Sequence, residues 1–347
     1  MATMKAAFLC GAGKLEVREI GLPIPGEGQV LVKTASVGVC GSDVHYFIHG
    51  RIGPFVADRP LILGHESAGT VVAVGKGVTL HKEGDRVALE PGVPCGKCEL
   101  CRRGRYNLCA GVTFMASAPA EHGSLAEYMA YDQHFAYRLP SEVSFDEGAL
   151  AEPLSVAVYV MRRSGLALGK SVAILGAGPV GLLMAQVARA SGASAVYITD
   201  IYDNRLALAG KFGATEVIRA DRADPVARIM QLTGDRGVDV AIEAAGTLPT
   251  TQQAVDVAAR GATVVLVGWV AEGIFPLNLG QLGVKELDLK GVFRYANAYP
   301  EAIGLLGRRQ VDVAPLITHH FQLADVAEAF RVASEGKQNS IKIMINM

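Results

Sequence analysis

The chain has 347 residues, half of them hydrophobic and 19% charged, with a formal net charge of −1. Its length exceeds that at which one hydrophobic core usually stops growing, which predicts two domains, and its composition excludes a disordered chain. The balanced charge leaves no basic excess to meet a phosphate backbone, so nucleic acid is excluded as an expected partner.

The first stretch, MATMKAAFLCGAGK, holds an apolar run too short for a secretory signal core, so a cytoplasmic protein without a membrane anchor is expected. Up to about residue 140, short apolar runs (QVLVKTASV, AGTVVAV, DRVALE, AEYMAY) alternate with Gly, Pro and Asp turn signals. That spacing predicts a β-rich domain, as in a barrel or sandwich. Within it, Cys40 lies in GVCGSDVH, and His65 and Glu66 lie in GHESAGTV. Taken singly, these are a small buried hydrophobe, a loop histidine and a solvated carboxylate. Offered together near turn glycines, ahead of a dinucleotide fold, they suit an open zinc site.

Cys95, Cys98, Cys101 and Cys109 follow within fifteen residues, with Gly96 and Gly104 between or beside them. Four thiolates on one loop suffice to close a tetrahedral zinc site, and with four protein ligands no position remains for water, so this ion is expected to be structural. Two disulfides are disfavoured by the expected compartment, and an iron–sulfur cluster by the lack of any other electron-transfer feature.

From about Lys170 the texture changes. SVAIL, AVYIT, VDVAIEA and ATVVLVG read as buried strands, with helical stretches such as PVGLLMAQVARAS and DNRLALAGKFG between them. This alternation predicts a doubly wound parallel sheet. No charge occurs in the eighteen residues between Lys170 and Arg189. A membrane span has that length, but the glycines and proline at its middle divide it into strand, turn and helix. They form Gly176-Ala177-Gly178-Pro179-Val180-Gly181, and Asp200 follows 19 residues after Gly181 at the end of the next strand. Gly176 permits the tight turn, Gly178 lets a pyrophosphate approach the backbone, and Gly181 allows helix to pack on strand. The helix N-terminus then faces the phosphates. Asp200 accepts hydrogen bonds from ribose hydroxyls and repels a 2′-phosphate, which predicts NAD; nearby Arg205 is the residue that points the other way. The alternative is a structural glycine turn with a capping aspartate. The last fifty residues hold one more helical pattern, ADVAEAFRVASEG, and a closing strand, IKIMIN.

Over essentially its whole length the sequence resembles the zinc-dependent medium-chain dehydrogenases, and among them the polyol (sorbitol/xylitol) dehydrogenases. The likeness rests on GVCGSDVHYFIHGRIGPF, LILGHESAGTVVAVG, GDRVALEPG, GRYNL, EGALAEPLSVA, ILGAGPVGL, YITD and KGVFRYAN. It implies an α/β protein with a GroES-like, β-rich catalytic domain over residues 1–153 and 294–347 and a Rossmann NAD-binding domain over 154–293. Cys40, His65 and Glu66 are then implied as ligands of a catalytic zinc, with Glu152 ligating directly or through a water. Which glutamate is the inner ligand stays open. Glu152 stands where alcohol dehydrogenases of the superfamily carry a cysteine. Ser42 matches the hydroxyl that takes the substrate proton, and His45 the histidine that relays it to solvent through the cofactor ribose. Asp43 is expected to orient His65, as metal-bound histidines usually require.

Arg294, Tyr295, Tyr46 and Phe114 match residues near the polyol hydroxyls. For Tyr46 and Phe114, packing or subunit contact is the competing reading. Mammalian sorbitol enzymes have lost most of the four-cysteine set; this chain keeps it, so two zinc ions per chain are implied. The implied reaction is oxidation of a secondary hydroxyl of a small polyol such as sorbitol or xylitol to the ketose, with hydride transfer to NAD. The alternative is a related zinc dehydrogenase acting on L-threonine or a simple secondary alcohol. A homotetramer is implied as well, with ELDLKGVF a candidate for pairing across a sheet edge. The individual polyol is not legible, because candidates differ by one hydroxyl's configuration or one carbon.

Overall fold

Residues 2–117, 122–268, 274–336 and 338–347 are described by the computed structural model. They form two units, Met1–Glu152 with Tyr299–Arg309 and Val313–Met347, and Pro153–Ala298 with Gln310–Asp312. The sequence reading set its boundaries at 153/154 and 293/294. Residues 294–298, assigned there to the catalytic part, belong to the second unit, where Tyr295, Ala296 and Ala298 are buried and the Arg162 guanidinium donates to the carbonyl of Asn297 at 2.6 Å.

In the first unit the short apolar runs become a seven-stranded sheet. Its main path runs Ala136–Arg138, Arg86–Leu89, Glu66–Val74, Gln29–Gly38, Lys342–Asn346 and Ile317–Gln322, and Tyr128–Asp132 pairs with the outer half of Gln29–Gly38. All these pairs are antiparallel except that of the last two strands of the path. Strand Gln29–Gly38 lies inside the sheet, with strand partners on both edges, and is buried at seven of its ten positions. A second sheet, Lys14–Gly21, Thr3–Gly11 and Leu61–Ile62, contributes Phe8, Leu9 and Leu61 to a core that also takes Phe330, Ile343 and Ile345.

Six parallel strands make up the second unit, ordered Glu216–Arg219, Ala195–Asp200, Ser171–Leu175, Val238–Glu243, Ala258–Leu266 and Asp288–Gly291. In chain order this is 3-2-1-4-5-6, the doubly wound dinucleotide arrangement, whose switch point lies between Ser171–Leu175 and Val238–Glu243. The uncharged stretch resolves into the fully buried strand Ser171–Leu175, a turn, and helix Pro179–Ala190. Among the described residues no helix is long and apolar enough to cross a membrane.

Candidate active site

Cys40 immediately precedes helix Gly41–His49, and the third residue of that helix, Asp43, is 1% exposed. The Asp43 carboxylate ties two separate segments together. Its Oδ2 accepts from the backbone N–H of Cys40 at 3.1 Å, and its Oδ1 accepts from that of Gly64 at 3.1 Å. The same Oδ1 lies 3.5 Å from Nδ1 of His65, which leaves the other ring nitrogen for a ligand. One carboxylate thus sets the spacing of Cys40 and His65 and the tautomer of the ring. Burial disfavours charge on His65, yet Asp43 and Cys40 more than offset it and hold its pKa well above the usual value. The electrostatics of the site favour a cation.

The carboxylate grouped with Cys40 and His65 is that of Glu66. One donor atom from each of the three lies within 4.8 Å of the others. That thiolate, imidazole and carboxylate set suits a tetrahedral zinc with one position open, and these residues fit the ion. Space for Glu66 depends on Gly38, the residue opposite it on the neighbouring strand. A Cβ there would stand 2.1 Å from Glu66 Oε2. Glu152 is buried in the first turn of helix Ala151–Ser164. Lys342, which the sequence reading passed over, is 3% exposed and donates to both oxygens of Glu66. Burial alone would lower its pKa, but Glu66, Cys40 and Glu152 hold it raised, so the ammonium is charged at neutral pH. A single cation inside the otherwise apolar run IKIMI was the signal that could have found it.

Of the remaining expected residues in this unit, Ser42 and His45 are half-buried on helix Gly41–His49, with the ring of His45 5.7 Å from that of His49. The ring of Phe114 lies 5.6 Å from that of His65, beside the metal-ligating group. Tyr46 packs into the core with Phe8, Leu63 and Phe330. In the second unit, Arg294 adopts a left-handed backbone (φ 52°) with its guanidinium over Phe293, and Tyr295 is 3% exposed.

Cys95, Cys98, Cys101 and Cys109 also converge, with all four sulfurs within 4.8 Å of one another. The Sγ separations of 3.4 Å for Cys98–Cys101 and 4.0 Å for Cys95–Cys101 exclude a disulfide there. They bracket the roughly 3.8 Å edge of a tetrahedron of Zn–S bonds. Backbone N–H groups of Lys97 and Cys98 pull the Cys95 thiol down to about 6. Glu90 lies beneath this lobe, 1% exposed, accepting from the Tyr106 hydroxyl at 2.7 Å and the Tyr137 hydroxyl at 2.9 Å.

Burial pushes the Glu90 carboxyl up to about 7, with the two tyrosines pulling the other way. Folding therefore raises its proton affinity, so the stability it contributes is complete below its ordinary pKa of 4.5 and is lost as pH rises through about 7. A displacement of that size corresponds to roughly 3 kcal/mol. Glu90→Gln keeps an acceptor for the tyrosines and is expected to flatten this fall. Urea unfolding at several pH values checks it; an unchanged slope means that Glu90 is ionised throughout.

In the second unit the glycine turn is as tight as its sequence implies. Gly176 has φ 117°, and a Cβ on Gly181 would stand 2.0 Å from the Gly176 carbonyl. A Cβ on Gly178 would meet nothing within 4 Å, so the backbone there is open to a pyrophosphate at the start of helix Pro179–Ala190. Val180 follows Pro179 in the first turn of that helix. Asp200 caps this turn. Its Oδ2 accepts from Ala177 N–H at 2.8 Å, and its Oδ1 accepts from Ile201 and Tyr202 N–H at 2.7 and 3.0 Å. The Arg205 guanidinium lies over the Tyr202 ring, 3.8 Å from Asp200. The turn and its aspartate fit a dinucleotide.

Residues 26–141 match the alcohol dehydrogenase GroES-like domain, and residues 179–308 match the zinc-binding dehydrogenase family. Sorbitol dehydrogenase of Bacillus subtilis is 41% identical over 342 residues, which are 99% of this chain and 97% of that one. Its Mus musculus counterpart is 43% identical over 338 residues, 96% and 93% of the two chains. The chain belongs to the zinc-dependent medium-chain dehydrogenases, in their polyol branch. A solved structure of an Escherichia coli oxidoreductase of unknown specificity agrees with this dehydrogenase at a TM-score of 0.96 and 39% identity, covering 99% of both chains. The GroES-like and doubly wound architecture expected of the family is the one observed.

Proposed function

We propose that this dehydrogenase oxidises a secondary hydroxyl of a small polyol, sorbitol or xylitol, to the ketose and delivers the hydride to NAD. The observation that carries the reading is the group formed by Cys40, His65 and Glu66, positioned through Asp43, in a chain that also holds the dinucleotide turn. Cys40, His65 and Glu66 would hold a zinc ion, which when bound would supply Lewis-acid polarisation of the substrate hydroxyl and so lower its pKa. Ser42 takes the hydroxyl proton and His45 passes it to water. Glu152 and Phe114 line the site beside the zinc ligands, and Arg294 and Tyr295 bind the other hydroxyls. Tyr46, which belongs to the core cluster, supports helix Gly41–His49.

A second, structural zinc occupies Cys95, Cys98, Cys101 and Cys109, giving two ions per chain. Four cysteines without a disulfide suit the reducing cytoplasm, where the enzyme works. Asp200 selects NAD over NADP through its charge, despite Arg205. Asp200→Ala is expected to narrow the NAD/NADP preference at least about ten-fold; an unchanged ratio of kcat/KM values removes Asp200 from this role. The subunits form a homotetramer. Strand Asp288–Gly291 is an edge of its sheet, with Leu289 and Phe293 exposed beside it, and such an edge invites pairing with a second copy. Light scattering that returns a monomer sinks the assembly.

The deciding experiment follows NADH formation over four- to six-carbon polyols, with L-threonine, ethanol and a simple secondary alcohol as controls. Rapid reduction with one or a few polyols, abolished by a chelator, is the expected result. Turnover confined to L-threonine or a simple alcohol moves the enzyme to a neighbouring branch.

A further inference from the structure

We propose that Lys342 is a positioning residue of the catalytic metal site, restraining the Glu66 carboxylate so that it binds the ion weakly and leaves a position for substrate. The inference rests on the zinc reading above.

Lys342 Nζ lies 2.8 Å from Oε1 and 2.7 Å from Oε2 of Glu66, and 3.2 Å from the carbonyl oxygen of Val39. Three acceptors match the three protons of an ammonium group, so the side chain is fully committed to this place. Strand register brings it there across 276 residues of sequence. Lys342–Asn346 runs antiparallel to Gln29–Gly38 with Met344 opposite Gly38, and Val39 N–H donates to Ile343 O at 2.9 Å. Continuing that register sets Lys342 level with Cys40. On the other edge of the same strand, Gly38 pairs with Glu66. Glu66 is therefore held between a glycine that yields it space and a lysine that grips both its oxygens.

Stability does not account for this lysine. Replacing a buried ion pair by apolar residues of similar volume is often neutral or stabilising, and its buried strand neighbours Ile343, Met344 and Ile345 show what the sheet accepts. Chemistry does account for it. Cys40, Glu66 and Glu152 place three anionic groups near one cation site, and the ammonium offsets one of them. With both oxygens drawn towards Lys342, Glu66 has less of its charge to give an ion.

Removing the lysine should therefore tighten metal binding while harming turnover, the reverse of what damage to a site does. In Lys342→Met, measured as holoenzyme with cobalt exchanged into the Cys40 site, chelator competition is expected to show the ion held at least about ten-fold more tightly. The visible cobalt bands should shift and weaken as Glu66 binds fully, and kcat should fall. Lys342→Arg keeps the charge and should restore the spectrum. The double variant Lys342→Met/Glu66→Gln should bring metal affinity back towards the wild-type value, which isolates the pair from a general charge effect. Unchanged affinity and spectrum in Lys342→Met, or weaker binding, overturns the proposal while leaving the zinc reading intact. Wild-type protein that takes up no cobalt beyond the four-cysteine lobe overturns the zinc reading itself.

Discussion

Cys40→Ser is expected to lower turnover at least about a thousand-fold, roughly 4 kcal/mol of barrier, while folding and NAD binding persist. The change exchanges one atom on a half-buried side chain, so little packing is lost. The Asp43 carboxylate bonds to the backbone N–H groups of Cys40 and Gly64, so that tie at the start of helix Gly41–His49 survives. What disappears is the thiolate, the anionic ligand from that side of the site. Kinetics, metal content, NAD titration and a melting curve on one preparation separate these effects. Near-normal turnover with zinc still bound at His65 and Glu66 would mean that Cys40 is not a ligand.

Cys98→Ser is expected to act on stability, lowering the melting temperature by about 10 °C, as loss of a structural zinc worth several kcal/mol implies. The lobe it belongs to has almost no core of its own. Its helix Glu99–Arg102 buries no residue, and the following turn, Tyr106–Leu108, buries Asn107 alone. With so little apolar surface removed from water, thiolate–metal bonds would be what holds the loop in place. Zinc analysis should find one ion fewer per chain, and activity assayed well below the melting range should survive. If melting is unchanged while one zinc is lost, the lobe's fold does not depend on metal. If activity and both ions disappear together, the division into catalytic and structural sites fails.

Much of this molecule was legible because its signals are local. The glycine turn, the helix it opens and the aspartate that follows lie within twenty-five residues, and their backbone requirements are imposed by neighbours in sequence. Four cysteines in fifteen residues need only a loop to converge. Alternation of buried strands with amphipathic helices was enough to predict the parallel sheet, since a strand covered on both faces must be apolar throughout. The role given to Asp43 followed from the general need of a metal-bound histidine for a partner. The structure adds that the same carboxylate also holds the backbone of Cys40 and Gly64.

Other features depend on where distant segments meet. Tyr46 and Phe114 are both aromatics near turn glycines, and nothing in their surroundings distinguishes them. Packing sends the first into the core and the second to the side of His65. Glu90, just past the end of strand Arg86–Leu89, is pushed towards neutrality by burial, against the pull of the hydroxyls of Tyr106 and Tyr137.

The fold class, the dinucleotide turn, the four-cysteine lobe and the candidacy of Cys40 and His65 were legible in the sequence. Each of these is written in residue type and short-range spacing, where one chain segment supplies its own constraint. Tertiary structure alone decided which glutamate joins Cys40 and His65, that residues 294–298 pack with the dinucleotide unit, and that Lys342 grips Glu66. Those outcomes depend on strand register and on which buried charges find each other, and both are settled only when segments hundreds of residues apart are brought out of water together.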